Sequence, residues 1–363
     1  MSRAAQIISD ILKYTLWETP LPDYLLNEGE ISVEEWQVVH SLARRQGVSA
    51  IAFEGMMRGK VAIPRAMKMR FISTTDSVEQ EYERKKQALL KVARLGNEHG
   101  FKLMILKGLG LSLSYPTPQH RPSSDNDIWF FGRQREADRL IAEKFNISIN
   151  EGHHHHTVFY VDGVMFENHY DFVEQHSRRS ARIREQHLKS LSQSGTAIEQ
   201  EIDGVKLYIP SPNHNALFLL LHSASHFASE NISIRHLIDW VMFVKSYGDT
   251  TDWDLIYKIA DECGFRQFID CQNAMCIDYL GMPADMVRSA MEDRDVVARA
   301  IEDVMAYKAV DVPNGFIKGW IFRIKRRFAH QWKQKMVFRD NAVEAFILSA
   351  LTHIIHPNVW RRD

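Results

Sequence analysis

FKLMILKGLGLSLSYPTPQHRPSSDNDIWFFG, residues 101–132, is the stretch whose reading decides the fold. Leu103–Leu106 is a short apolar run that reads as a buried strand. Lys107-Gly108 interrupts it, Leu109–Tyr115 follows as a short helix, and Pro116–Ser124 is a loop rich in Pro and Ser. Asp125-Asn126-Asp127 then leads into Ile128, Trp129, Phe130 and Phe131, whose aromatic and branched side chains predict a second strand. Side chains two apart on a strand leave the same face, about 6.5–7 Å apart along the chain. The pattern therefore aims Asp125 and Asp127 in one direction, at the polar end of an apolar strand.

Two carboxylates held that close repel, and one pKa rises unless a cation lies between them. The pair points to a divalent metal. Magnesium is the preferred ion, because it takes oxygen ligands from one or two carboxylates and from substrate phosphates. Gly108 and Gly110, opening a helix, let backbone amides approach a phosphate, and Lys107 adds a point charge to the same anion. An Asp-x-Asp pair alone also occurs on ordinary solvated strand ends. A strand, Gly turn, helix, loop and Asp-x-Asp strand within one supersecondary unit is a much narrower combination.

With these residues the chain resembles the uncharacterised nucleotidyltransferases, a branch of the superfamily that includes DNA polymerase beta. The resemblance rests on Leu106-Lys107-Gly108, on Arg121 four residues before Asp125, and on the Asp125/Asp127 strand, and it extends over nearly the whole chain. Leu109 stands where the wider superfamily has Ser or Gly, and Asn126 stands where an apolar residue is usual. The resemblance implies an α+β fold: a polymerase-beta-like core, with a small mixed sheet and flanking helices, between helical N-terminal and C-terminal segments. It also implies an acidic residue followed two positions later by His, which Glu167-Asn168-His169 matches; Glu167 is thus the third carboxylate, with Asp171 in reserve.

The same resemblance implies two magnesium ions (manganese as a substitute) held by Asp125, Asp127 and Glu167, and an NTP as substrate. Phosphates would be held by Lys107, Gly108 and Ser123 or Ser124, with Arg121 pairing an oxygen or bracing the carboxylate loop. The implied reaction moves a nucleoside monophosphate to an acceptor hydroxyl or phosphate, the acceptor being a small molecule or a protein. Two other readings stand beside it. One is a nucleotide-binding protein of this fold without turnover; the other is a helical protein that binds RNA or a partner through a basic C-terminal segment.

Composition places few restrictions beyond these. The 363 residues are 45% hydrophobic and 25% charged, near globular averages, and a net charge of −1 argues against coating nucleic acid by bulk charge. Three cysteines, Cys263, Cys271 and Cys276, form no metal spacing or disulfide framework, which suits a reducing cytoplasm. No signal-peptide core and no run of 18 apolar residues is present in the sequence.

Three segments are expected: helical 1–95, catalytic 96–212 and helical 213–363. In the first, Ala4–Trp17 is amphipathic through Ile7, Ile8, Ile11, Leu12 and Leu16, and Ser32 with Glu35 forms a capping box. Gly47 ends that helix, Val48–Met57 is another, and Pro64 opens one or two helices over Ala66–His99. In the second, Gln134–Phe145 is helical, and Asp162-Gly163 and Asp203-Gly204 each close a hairpin between apolar runs. The histidine run His153–His156 reads as a polar loop in preference to a zinc site, since adjacent histidines on a strand do not face one ion. In the third, Asn213 caps a helix over Ala216–Phe227 that places His222 and His226 on one face. These two, with His169, are candidates for lining the cleft. Arg235 and Asp239, four apart, read as an ion pair. Basic residues from 318 to 339, interleaved with aromatics, read as a solvated helix face before a nucleic-acid or membrane contact.

Overall fold

The computed structural model describes residues 1–152, 155–175, 179–193, 195–229, 231–306 and 330–339. A mixed sheet of six strands lies at its centre: β1 (Met104–Ile105), β2 (Asn126–Trp129), β3 (His156–Val161), β4 (Val164–His169), β5 (Ile198–Ile202) and β6 (Val205–Ile209), in the order β3-β4-β2-β1-β6-β5. β1 runs antiparallel to β2 and parallel to β6, while β2 runs parallel to β4. This is the α+β arrangement expected from the sequence. The outer pairs are the two Asp-Gly hairpins. Asp162 (φ 52°), Gly163 (φ 72°), Asp203 (φ 48°) and Gly204 (φ 73°) all take the positive φ that a two-residue turn needs to follow strand twist.

Five helices precede the sheet: α1 (Arg3–Trp17), α2 (Asp23–Leu26), α3 (Val33–Arg45), α4 (Ser49–Arg58) and the 34-residue α5 (Arg65–Glu98). The expected box at α3 is present, with Ser32 Oγ accepting from Glu35 N at 3.1 Å and Glu35 Oε2 accepting from Ser32 N at 2.9 Å. Within and after the sheet come α6 (Leu109–Ser112), α7 (Gln134–Phe145), α8 (Arg179–Gln193), α9 (Pro212–Ser229), α10 (Ile234–Tyr247), α11 (Trp253–Cys263), α12 (Arg266–Leu280), α13 (Arg294–Met305) and α14 (Gln331–Val337). The N-terminal α1 and the late α12 share one core: Ser9 Oγ donates to Tyr279 O at 2.6 Å, and Tyr279 Oη donates to Ala5 O at 2.7 Å. Among the described residues no helix is long and apolar enough to cross a membrane.

Strand alternation divides the sheet's side chains between two layers. Ile105, Ile128, Phe166 and Leu207 pack on Leu89, Val92 and Ala93 of α5 and on Ile141 of α7. Met104, Trp129 and Tyr208 leave the opposite face and join the core built by α9 and α10. Asp127, two residues before Trp129, leaves that second face as well. Asn126 leaves the first, where its Nδ2 donates to Lys85 O of α5 at 3.3 Å. The polar residue between the aspartates is thus a strut to α5.

Several expectations are corrected. β2 begins at Asn126, so Asp125 lies in the loop just before the strand, and it ends at Trp129 because Phe131 (φ 51°) and Gly132 (φ 84°) turn the chain into α7. The helix expected over 109–115 stops at Ser112. Asn213 does not cap α9; Ser211 O accepts from Asn215 N at 2.8 Å, and Pro212 fills the first helical position, where a missing N–H costs nothing. Asn213 Oδ1 instead accepts from Asp252 N at 2.7 Å ahead of α11. Of the basic segment, Lys333 on α14 is fully buried and pairs with Asp303 and Asn231, which is not a solvated face. Lys335 and Arg339 are exposed, and residues 318–329 lie outside the described residues, as do His153 and His154.

Candidate active site

The parallel register of β2 and β4 sets Asp127 opposite Glu167, flanked by the Asn126–Phe166 and Ile128–Asn168 pairs. Both carboxylates therefore leave the same face. Lys107, just beyond β1, reaches the pair: its Nζ lies 3.0 Å from Asp127 Oδ1. His169 Nε2 lies 3.1 Å from the same oxygen, and its Nδ1 donates to Asp171 O at 3.1 Å. Glu167 Oε2 stands 3.8 Å from His169 Nε2 and 3.8 Å from His156 Nδ1. Asp127 is 1% exposed, and its second oxygen, Oδ2, is buried with no hydrogen-bond partner among the described residues.

The charges pull these groups in different directions. Burial opposes ionisation of Asp127, but Lys107 and His169 outweigh it and hold the carboxyl well below the usual carboxylate range. Burial pushes Glu167 up to about 7, and the charges of Asp127 and Asp125 push the same way. Burial works against the Lys107 ammonium, yet Asp127 and Asp125 keep its pKa above the ordinary lysine value. Behind the strands a buried network fixes this geometry: Asp138 of α7 accepts from Asn168 Nδ2 at 2.8 Å and from Thr157 Oγ1 at 2.9 Å.

Around the carboxylates opens a cleft of about 500 Å³, inside the range of small-molecule sites. Its walls bring together Lys107, Gly108, Arg121, Ser123, Ser124, Asp125, Asp127, Glu167, His169, His222 and His226. Gly110 is outside; a Cβ there would stand 3.2 Å from Ile105 O, so this glycine serves helix-on-strand packing. Asp171, the reserve carboxylate, pairs with Lys189 of α8.

Gly108 has φ 57° and ψ −120°, a conformation closed to side-chain-bearing residues without strain, and a Cβ there would meet Asp125 O at 3.4 Å. Gly108→Ala is expected to destabilise the protein by about 1–3 kcal/mol in denaturant melts. An alanine variant of unchanged midpoint would mean that the turn relaxes freely.

Arg121 is a brace. Its Nε and Nη2 donate to Asp239 Oδ1 and Oδ2 at 2.7 and 2.9 Å, and its Nη1 donates to Gly108 O at 3.2 Å. Tyr115 Oη adds a third donor to Asp239 at 2.6 Å. The expected Arg235–Asp239 pair is thereby replaced: Asp239 faces Arg121, while Arg235 Nη1 donates to Pro122 O at 3.0 Å. Arg121 takes the place of the helical neighbour because its guanidinium meets both carboxylate oxygens at once. Arg121→Met strands a buried carboxylate and is expected to cost about 3–5 kcal/mol, with Arg121→Met/Asp239→Leu recovering most of it. A single variant within 1 kcal/mol of the wild type (read as ~0–1, the range of an exposed pair) would show the bridge to be water-screened.

The roof comes from α9 and α10. His222 and His226 have ring centroids 4.5 Å apart, and His236 of α10 lies 6.2 and 5.9 Å from them. His236 escapes sequence reading because only the α9–α10 packing brings it to the other two. Its one local signal is its place three residues after Ser233, whose N–H donates to His236 Nδ1 at 3.1 Å. The uncharged ring then carries its hydrogen on Nε2. Burial, then Arg235, holds His236 far below the usual histidine value; burial, then Lys107, does the same to His222.

The family model described as "Uncharacterised nucleotidyltransferase" matches residues 32–281, more than half of the chain. The match runs from the cap of α3 to the left-handed glycine that closes α12, so it takes in the whole sheet, the cleft and its histidine roof. The chain belongs to this nucleotidyltransferase family. No curated protein and no solved structure matches it.

Proposed function

We propose that this protein is a metal-dependent nucleotidyltransferase that moves a nucleoside monophosphate from an NTP to an acceptor hydroxyl or phosphate. The observation that carries this reading is the β2–β4 register, which seats Asp127 beside Glu167 at the wall of a cleft edged by Lys107-Gly108. A divalent cation fits the donor set. Asp127 and Glu167 converge with Asp125 nearby, and Asp127 Oδ2 is a buried oxygen in want of a partner. Asp125, Asp127 and Glu167 would hold the metal, which when bound neutralises phosphate charge and acidifies the acceptor.

The chain's own residues supply the rest. Lys107 and the Gly108 turn face the triphosphate, together with Ser123 and Ser124. Lys85 Nζ donates to Ser123 O and ties that loop to α5. The acceptor oxygen attacks the α-phosphorus, and the bond from that phosphorus to the pyrophosphate oxygen breaks. Glu167, at the wall of the cleft, would take the acceptor's proton. Catalysis of this kind is largely placement and charge neutralisation. The test is incubation with labelled ATP, GTP, CTP and UTP, magnesium and a cell extract. Label entering an acceptor with pyrophosphate release is expected, and nucleotide bound without release from any of the four would overturn the reading.

A further inference from the structure

Resting on the metal-dependent reading above, we infer that His169 Nε2 is itself a metal ligand, giving an Asp127–Glu167–His169 site that favours a first-row transition ion such as Mn²⁺ over Mg²⁺. Among the described residues, one ligand atom from each of these three lies within 4.8 Å of the others. The tautomer follows from a single contact. Asp171 O is a carbonyl and accepts only, so His169 Nδ1 must donate to it, and the uncharged ring has its lone pair on Nε2. Nε2 faces Asp127 Oδ1 at 3.1 Å and Glu167 Oε2 at 3.8 Å. With Nδ1 donating to Asp171 O, Nε2 meets these oxygens through a cation between them, either a proton on the ring or a metal ion that takes the proton's place.

Two further observations point the same way. Metal-binding histidines nearly always donate their other ring nitrogen to a carbonyl or carboxylate, which fixes ring orientation, and the Nδ1–Asp171 bond does this. Asp127, a member of the same cluster, also has a second oxygen, Oδ2, that is buried and lacks a hydrogen-bond partner among the described residues. The three-histidine grouping of His155, His156 and His169 competes for the ring. With Nδ1 committed, however, only Nε2 is left to ligate, and it stands on the carboxylate side. An imidazole among carboxylates moves preference away from a hard all-oxygen ion and toward the transition series.

The test uses the full chain loaded with Mn²⁺ and read by pulsed electron paramagnetic resonance, which detects nitrogen bound to the ion, together with calorimetric titration of Mn²⁺ and Mg²⁺. Wild type is expected to show ¹⁴N coupling and to bind Mn²⁺ at least ~100-fold more tightly than Mg²⁺, as a nitrogen donor predicts. His169→Gln should lose the coupling and bind Mn²⁺ about 10–100-fold more weakly. His169→Asp should recover affinity without the nitrogen signal, and far-ultraviolet circular dichroism checks that both variants fold. Coupling that survives in His169→Gln but vanishes in His156→Gln would assign the ion to the histidine run and overturn the inference. Bound Mn²⁺ without ¹⁴N coupling in the wild type would overturn it as well, leaving nucleotidyl transfer intact. Failure to bind either ion, with no transfer, would remove both.

Discussion

On the proposed function, Asp127→Asn is expected to lower nucleotidyl transfer by about 10²–10³-fold, the scale seen when a charge-stabilising group is removed from a reacting centre. Asp127 is the hub of the site: Lys107 and His169 both meet its Oδ1, and Glu167 is its partner across the strands. The amide keeps the shape and removes the charge, so cation affinity is expected to fall while the β2–β4 register stays. Glu167 reports the change independently. Burial and then the Asp127 and Asp125 charges raise it to about 7, so its pKa should fall in the variant as one like charge disappears. Carboxyl-carbon nuclear magnetic resonance across pH reads this directly. Turnover within tenfold of wild type (about 1.4 kcal/mol) would remove Asp127 from the chemistry.

His214→Leu is expected to stabilise the protein in acid, and the sign can be worked out. His214 is 1% exposed at the start of α9, with its ring between Phe172 (4.8 Å) and Phe218 (6.2 Å), and neither ring nitrogen has a hydrogen-bond partner among the described residues. Burial lowers its pKa from the ordinary 6.5 to about 3. The unfolded chain therefore binds a proton that the fold refuses. This contribution to stability is fully present above pH 6.5 and is lost as pH falls toward 3. Between pH 7.5 and pH 5 the loss approaches about 2 kcal/mol. Leu removes the slope and also the desolvation of two orphaned nitrogens.

Glu167 and Glu185, each pushed up to about 7 first by burial, have the opposite sign, because the fold holds a proton that the unfolded chain releases above pH 4.5. Wild-type stability against pH is thus a sum of opposed slopes, and the difference between wild type and His214→Leu isolates the histidine. Chemical denaturation at pH 5 and 7.5 measures it. A variant that gains no more at pH 5 than at pH 7.5 would show that His214 titrates normally.

Local patterns carried much of the fold. The capping box at Ser32, the two Asp-Gly hairpins and the helix over 134–145 are all written within a few neighbouring residues, because caps and turns are satisfied by atoms close in sequence. The strand alternation that sends Asp127 and Glu167 to one face is equally local. Their meeting is not, since parallel strands such as β2 and β4 are joined by a long crossover whose register only packing decides. Tertiary structure also decided the partners of charge. Arg121 crosses from the loop before β2 to Asp239 on α10, His236 joins His222 and His226 through helix packing, and Lys333 is buried on Asp303. A buried charge must find a counter-charge wherever the fold brings one near, and sequence spacing holds no record of that distance.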